Sequence, residues 1–500
     1  MKINKSNRIH VLILIGVFLG AEIVSFIGFK QPMVNSLAFG LILLITLALT
    51  IKRLENGFLI IAGELLIGSL GHLFYLTVGD GRLSLRIGLW LTIMAIWGIK
   101  FLIQVIRLKA QSSYWQALKE FPWRRNFIWL GIFVLIGLAN GLLRKNDLGT
   151  MLVDFNSWLY FLLLLPAISV YGRPSTEVLE RLKKVFLAGA IFLSLKTLFF
   201  LYIFTHNSGL APDIYSWLRL NLLGEMTPTK TGWPRIFLQS QIFSALAFFL
   251  IFWTNESRLA WKKIFKDNNY LVLLAAGFFL STVVLSFSRS FWAGLLAGIG
   301  LSLIIIWRLF SWRKMISAGL WMASAALLSL AIIYLVAAFP YWRPSSGNLS
   351  ETILARVSDG NEAALASRWS LLPVLTSAIK DNPLLGRGYG ATVTYYSQDP
   401  RVLQNNPSGE YTTYIFEWSY LDLWLKLGAL GLLIYLLLLG RLILATWRGQ
   451  KGRPDYLALG LGIGLVFLAV TNIFTPYLNH PLGIGFLVIS SCLIRPNRVY

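Results

Sequence analysis

Residues 381–433 read DNPLLGRGYGATVTYYSQDPRVLQNNPSGEYTTYIFEWSYLDLWLKLGALGLL. The first part of this stretch mixes Arg, acids, tyrosines and three closely spaced glycines, and from about residue 419 the chain turns into an apolar helical run. That apolar run decides the fold. Runs of about 18 to 25 apolar residues, each long enough to cross roughly 30 Å of hydrocarbon, recur along the whole chain. Of the 500 residues, 56% are hydrophobic and only 13% charged, and the mean hydropathy is +0.66. Backbone groups inside a bilayer must pair within their own segment, and the alternating pattern of a spanning barrel is absent. The expected fold class is therefore all-α: a polytopic, integral membrane helical bundle.

Working outward, about fourteen spans are expected, at 9–29, 33–51, 57–79, 85–106, 126–143, 150–171, 184–205, 235–254, 270–287, 290–309, 315–339, 419–446, 456–474 and 480–494. They divide the chain into N-terminal transmembrane helices (1–183), a transmembrane core (184–339), a large, partly helical loop (340–418) and C-terminal transmembrane helices (419–500). The first ten residues are basic, but no small-residue cleavage pattern follows, so the first apolar run is expected to remain as a helix. The single cysteine, Cys492, lies in the last run and excludes an intramolecular disulfide.

The formal charge of +23 does not indicate nucleic acid, because the cations fall in short clusters between apolar runs, as in cytoplasmic loops facing anionic lipid. With both termini in the cytoplasm, about 27 of the 45 Lys and Arg lie on the cytoplasmic side and about 15 outside, although the longest loop is outside. The opposite orientation reverses this bias.

The external cations are grouped. Arg235 is expected to open a helix, Arg289 sits in the turn LSFSRSFWAG, and Arg343, Arg356, Arg368, Arg387 and Arg401 populate the large loop. Apolar spacing at Leu365, Trp369, Leu372, Leu375 and Ile379 predicts a helix over 361–379, kinked at Pro373 and ended by Pro383. Gly386, Gly388 and Gly390 permit tight turns, and Tyr395, Tyr396 and Tyr411 suit stacking or interfacial contact. Four histidines, at 10, 72, 206 and 480, without an HExxH motif or close acidic cluster, argue against a metal site. No cofactor is expected, and no Walker sequence is present. Glu22, Glu64, Lys100, Lys196 and Lys426 fall inside spans, where they must face protein or water, either paired internally or lining a transport path.

In order along the chain, LSFSRSFWAGLLAG (285–298), RVSDGNEAALASRWSLLPVLTSAIKDNPLLGRGYG (356–390) and EWSYLDLWLKLGALGLLIYL (417–436) resemble the O-antigen ligase and polymerase superfamily of multi-spanning bacterial glycosyltransferases. The resemblance covers roughly residues 184–494. It implies an enzyme of the bacterial cytoplasmic membrane that takes a glycan from a polyprenyl diphosphate carrier, without a metal. The glycan passes to a hydroxyl on a glycan, lipid or protein acceptor at the extracytoplasmic face. Membrane lipids are the other partner, and nucleic acid is not one. Arg235 and Arg289 match the family's two arginine positions. Where the family often reads HNSYLDLLLELG, this chain reads EWSYLDLWLKLG, so Glu417 stands at the expected basic His, Trp418 at the Asn and Lys426 at a frequent Glu.

Inverting transfer requires neutralisation of charge growing on the diphosphate and removal of the acceptor proton. Arginine suits the first task, because its fork pairs bidentately with phosphate and stays charged near lipid. The candidates are Arg289, Arg235, Arg387 and Arg368 at the diphosphate, with Glu417 and Arg289 as the catalytic pair. Arg356, Tyr389, Tyr420 and His480 are further possible substrate contacts. Each has a structural alternative: snorkelling or helix-start cations for Arg289 and Arg235, a pinned turn for Arg387, loop ion pairs for Arg356 and Arg368, a salt bridge for Glu417, and interfacial roles for the rest. Ligation and repeat-unit polymerisation share this chemistry, and a transporter or flippase for a lipid-linked sugar or small anion is the alternative from another class.

Overall fold

The computed structural model describes residues 5–79, 81–108, 113–229, 232–255, 269–340, 349–358, 363–448 and 454–496. The chain is mostly helical. The N-terminal part contains α1 (Lys5–Lys30), α2 (Pro32–Lys52) and α3 (Leu54–Ile67), then a hairpin of β1 (Tyr75–Val78) and β2 (Gly81–Ser84), then α4 (Leu85–Leu108) and α5 (Ser113–Glu120). Next come α6 (Arg124–Leu143), α7 (Leu148–Leu159) running through a 3-10 turn at Tyr160–Leu163 into α8 (Leu164–Tyr171), and α9 (Thr176–Thr205). The core adds α10 (Ala211–Leu220), a second hairpin of β3 (Gly224–Pro228) and β4 (Pro234–Leu238), α11 (Ile242–Thr254), α12 (Asn269–Leu285), α13 (Arg289–Leu309) and α14 (Trp312–Ala338). The large loop folds into α15 (Leu349–Ser358), α16 (Ala363–Lys380), β5 (Val393–Tyr396), α17 (Pro400–Asn405) and β6 (Glu410–Thr413). The described chain closes with α18 (Ser419–Trp447), α19 (Tyr456–Thr471) and α20 (Pro481–Leu493).

A helix occurs within each of the fourteen expected spans, but among the described residues nine helical segments are long and apolar enough to cross a membrane. Four of the others, ending at Thr254, Leu285, Thr471 and Leu493, are shorter apolar helices. Helix α11 shows why they fold: at 1.5 Å per residue it is only about 20 Å long, yet it is apolar all round and nearly every side chain is buried. Such a helix belongs inside a bundle, and α11 packs against α9, α12 and α19. On the outer helices, leucines such as Leu12, Leu41, Leu143 and Leu327 are exposed, as an apolar wall facing lipid requires.

Two expected spans begin or end differently. The 57–79 span stops at Ile67, because Ser69 and Gly71 take positive φ and turn the chain into the first hairpin. The 235–254 span starts late. Pro234 and Arg235 belong to β4, paired with Pro228 and Thr227, so Arg235 lies on a strand and does not open a helix. A proline lacks the N–H for a central ladder but is tolerated at the first residue of a strand. In the loop, α16 matches the expected helix over 361–379 from Ala363 onward and continues through Pro373.

Charges inside the bundle are paired. Lys196 reaches Glu22 at 2.5 Å and Arg86 reaches Glu64 at 2.8 Å, all four nearly buried. The Lys100 ammonium donates to the carbonyls of Thr50 and Ile51, at 3.2 and 2.7 Å. Lys426 lies between Asp154 and Asp422, 2.7 Å from each. Internal pairing is what charge in a hydrocarbon environment demands.

Helix α18 is broken at Gly428 (φ 75, ψ 173). The large loop repairs the break: Ala429 N–H donates to Pro383 O at 2.8 Å, and Arg387 N–H donates to Leu425 O at 2.6 Å. Backbone groups freed inside a bundle must find such partners. Gly386 and Gly388, both at positive φ, allow the approach. A Cβ on Gly388 would lie 2.1 Å from the amide nitrogen of Gly141 in α6.

Candidate functional site

Three of the sequence-selected arginines meet on one turn. Between α12 and α13, Ser286–Phe287–Ser288 bends through a positive φ at Phe287, a conformation that costs a non-glycine residue about 1–3 kcal/mol and tends to mark functional turns. Arg235, from β4, donates through Nε to Ser286 O at 3.2 Å. Arg356, near the end of α15, donates through Nε to Phe287 O at 3.1 Å. Arg289, the first residue of α13, donates through Nε to Arg356 O at 2.8 Å. All three side chains are partly buried. A hairpin, a helix start and a loop helix thus bring three guanidinium groups to one place.

Beneath this turn, hydroxyls join α13 to the loop before α20: Ser288 Oγ lies 3.0 Å from Ser290 Oγ, which lies 2.9 Å from Thr475 Oγ1. The preceding residue, Phe474, packs its ring against Trp418 at 5.4 Å. Trp418 precedes α18 and follows Glu417, whose Oε2 accepts from Nε of Arg368 on α16. The Trp418 indole N–H donates to Arg368 O at 2.9 Å. The Glu417–Arg368 pair is linked to the arginine turn through the Trp418–Phe474–Thr475 run and Ser290.

The other selected residues lie elsewhere. Arg387 pairs with Asp381 and holds the α18 break, so its place is in the glycine-rich turn and not on the arginine turn. Tyr389 is fully buried against the rings of Phe155 and Trp158. Burial pushes its hydroxyl well above the usual tyrosine range, which keeps it neutral. The Tyr420 hydroxyl donates to Ala469 O at 2.7 Å, tying α18 to α19. His480 caps α20, its Nδ1 accepting from Leu482 N–H at 3.3 Å. Arg343 lies outside the described residues, as does the side chain of Arg401.

Sequence reasoning missed a buried polar network behind the site. Ser419 Oγ donates to Asn472 Oδ1 at 3.0 Å, Asn479 Nδ2 donates to Asp422 Oδ2 at 2.7 Å, and Asp422 leads through Lys426 to Asp154. Asp154 in turn accepts the Gly390 N–H at 3.0 Å, and Lys426 donates to Tyr414 O at 2.9 Å. The loop is thereby fastened to the bundle at Gly390 and at Tyr414. Lys426, Asp154 and Asp422 each carried a signal as a charge within an expected span, but only Lys426 was singled out, and nothing in the sequence joined it to Asp154, 272 positions away. No group of three or more His, Cys, Asp or Glu able to hold a metal occurs among the described residues.

Residues 271–436 match a family model described as O-antigen ligase. The chain carries an O-antigen ligase-like domain. The match takes in the turn with Arg289, Arg356, the large loop and the first part of α18. With the apolar helices, it supports a glycan-transferring, ligase-like function for an integral membrane protein. Among curated proteins, no sequence matches the chain.

Proposed function

We propose that the chain is a membrane glycosyltransferase that moves a glycan from a polyprenyl diphosphate carrier to an acceptor hydroxyl at the extracytoplasmic face. The observation that carries this reading is the convergence of Arg235, Arg289 and Arg356 on the Ser286–Arg289 turn, which lies inside the ligase-like domain. In the reaction, the acceptor oxygen bonds to the anomeric carbon while the bond from that carbon to the diphosphate oxygen breaks. The electron pair leaves with the diphosphate. Arginines held by backbone carbonyls are oriented before substrate arrives, so they stabilise the developing charge without reorganising.

Glu417 receives the acceptor proton. Arg368 holds its Oε2, and Oε1 has no hydrogen-bond partner among the described residues, which leaves that oxygen for a hydroxyl. Inversion follows if acceptor and diphosphate occupy opposite sides of the anomeric carbon. Membrane lipids surround the carrier's chain, and the reaction draws on the diphosphate leaving group.

The test is transfer from a polyprenyl diphosphate glycan pool of the native host by the purified full chain, beside Arg289→Ala and Glu417→Gln. Product from the wild type and loss in both variants supports the reading. A single addition indicates ligation, and a ladder of repeat units indicates polymerisation. Movement of the lipid across liposomes without product, and independent of both residues, overturns it.

A further inference from the structure

Beside Glu417, the bundle and loop leave a group of aromatic rings uncovered. Trp369 on α16 lies 5.5 Å from Trp418, and Trp418 lies 5.4 Å from Phe474. Trp369 is 57% exposed and Phe474 37%, whereas Trp233, Trp253 and Trp321 are completely buried in the same chain. The exposed rings therefore do not fill a core.

Their setting is charged and hydrogen-bonded as well as apolar. Trp418 is fixed by its indole hydrogen bond to Arg368 O, and the Arg368–Glu417 ion pair lies at its edge. Tyr395 of β5 packs with Trp418 against the loop's own apolar core and meets Tyr411 edge to face at 6.0 Å. Burial, and more weakly the Glu417 charge, raises the Tyr395 hydroxyl above its ordinary value. Rigid aromatic faces bordered by charged and hydroxyl groups suit a ligand with apolar faces and a polar rim.

We propose that Trp369, Trp418 and Phe474 form a stacking subsite for the pyranose rings of the acceptor glycan, placing its hydroxyl at Glu417. A pyranose presents a face of C–H bonds to an aromatic ring and its hydroxyls sideways, where Arg368 and Glu417 receive them. The subsite rests on the glycosyl-transfer reading above and assigns the acceptor as a saccharide. Trp418 stands where the resembled family often has Asn, so this subsite would set acceptor preference for this chain.

The experiment measures sugar binding separately from transfer. Full-length protein in lipid nanodiscs is examined by saturation-transfer NMR with cellotriose, chitotriose and a rhamnose-containing tetrasaccharide. The expected result is saturation of ring C–H protons for at least one of them. Affinity should fall about fivefold or more in Trp369→Leu, in line with the loss of one aromatic contact. Trp418→Phe, which keeps a ring without its N–H donor, should bind with intermediate affinity. Trp312→Leu, at an equally exposed tryptophan at the start of α14, should match the wild type. Sugar response identical in wild type and Trp369→Leu, or absent from all three sugars, overturns the subsite. A lower melting temperature of Trp369→Leu in nanodiscs but not in detergent, with sugar response unchanged, marks the rings as lipid anchors and also overturns it. Donor transfer that depends on Arg289 would survive either failure. Sugar binding that depends on Trp369, without any transfer, would instead sink the transferase reading and with it the acceptor role of these rings, leaving a sugar-binding site alone.

Discussion

At the residue scale, the arginine turn and His480 make separable predictions. Arg289 is held by its Nε on Arg356 O, so Arg289→Lys keeps the charge but loses the planar fork. If it stabilises the leaving diphosphate, Lys should not restore it, and transfer should fall about 10²-fold or more in both Arg289→Lys and Arg289→Ala. Initial rates at saturating donor measure this. His480 makes a prediction about stability. Its Nδ1 accepts from Leu482 N–H at 3.3 Å and caps α20, so His480→Ala should cost about 1 kcal/mol. His480→Asn keeps an acceptor at the cap and should stay close to the wild type. Thermal melts of the two variants measure this.

At the scale of elements, the contact between the glycine-rich turn and the broken α18 is a second test. Gly388→Ala places a methyl group against the Gly141 backbone at positive φ, whereas Gly79, also at positive φ, has open space around it. Gly388→Ala should undock the loop from α6 and α18, lowering the melting temperature and transfer together. Gly79→Ala should cost only about 1 kcal/mol of backbone strain. Equal melting curves for the two would show that the loop is not anchored there. This contact also marks how much was legible in the sequence. The three glycines announced tight turns, and apolar spacing gave α16 to within a few residues, because both signals are local. The break at Gly428 was not legible: its satisfaction depends on Pro383 and Leu384, more than forty residues earlier. Arg235 misled for a related reason. Its neighbours Ile236 to Leu238 are apolar enough to continue into α11, and only pairing with β3 makes them a strand. Arg289 stood out through its motif, while Asp154, a charge inside the expected span 150–171, reaches Lys426 across 272 positions, a pairing no local pattern announces.

For the whole molecule, the cation distribution predicts which end of the bundle faces out. The large loop and the arginine turn lie at the end where α18 begins, with the α19–α20 connection joined to both. The opposite end gathers Arg173, Gly172 and Arg495, with Arg495 donating to Gly172 O at 2.9 Å, and it carries the denser cations that membranes retain on the cytoplasmic side. The sole cysteine, Cys492, is buried, so Cys492→Ser offers a background for sidedness labelling. On that background, Gln404→Cys on α17 and Arg173→Cys before α9 place thiols at exposed positions on the two ends. A membrane-impermeant maleimide applied to intact spheroplasts should label Gln404→Cys at once and Arg173→Cys only after permeabilisation. The reverse pattern would put the arginine turn in the cytoplasm, where a glycan carried on the outer leaflet never meets it. The transferase proposal would then fail on topology alone, whatever its residues can do.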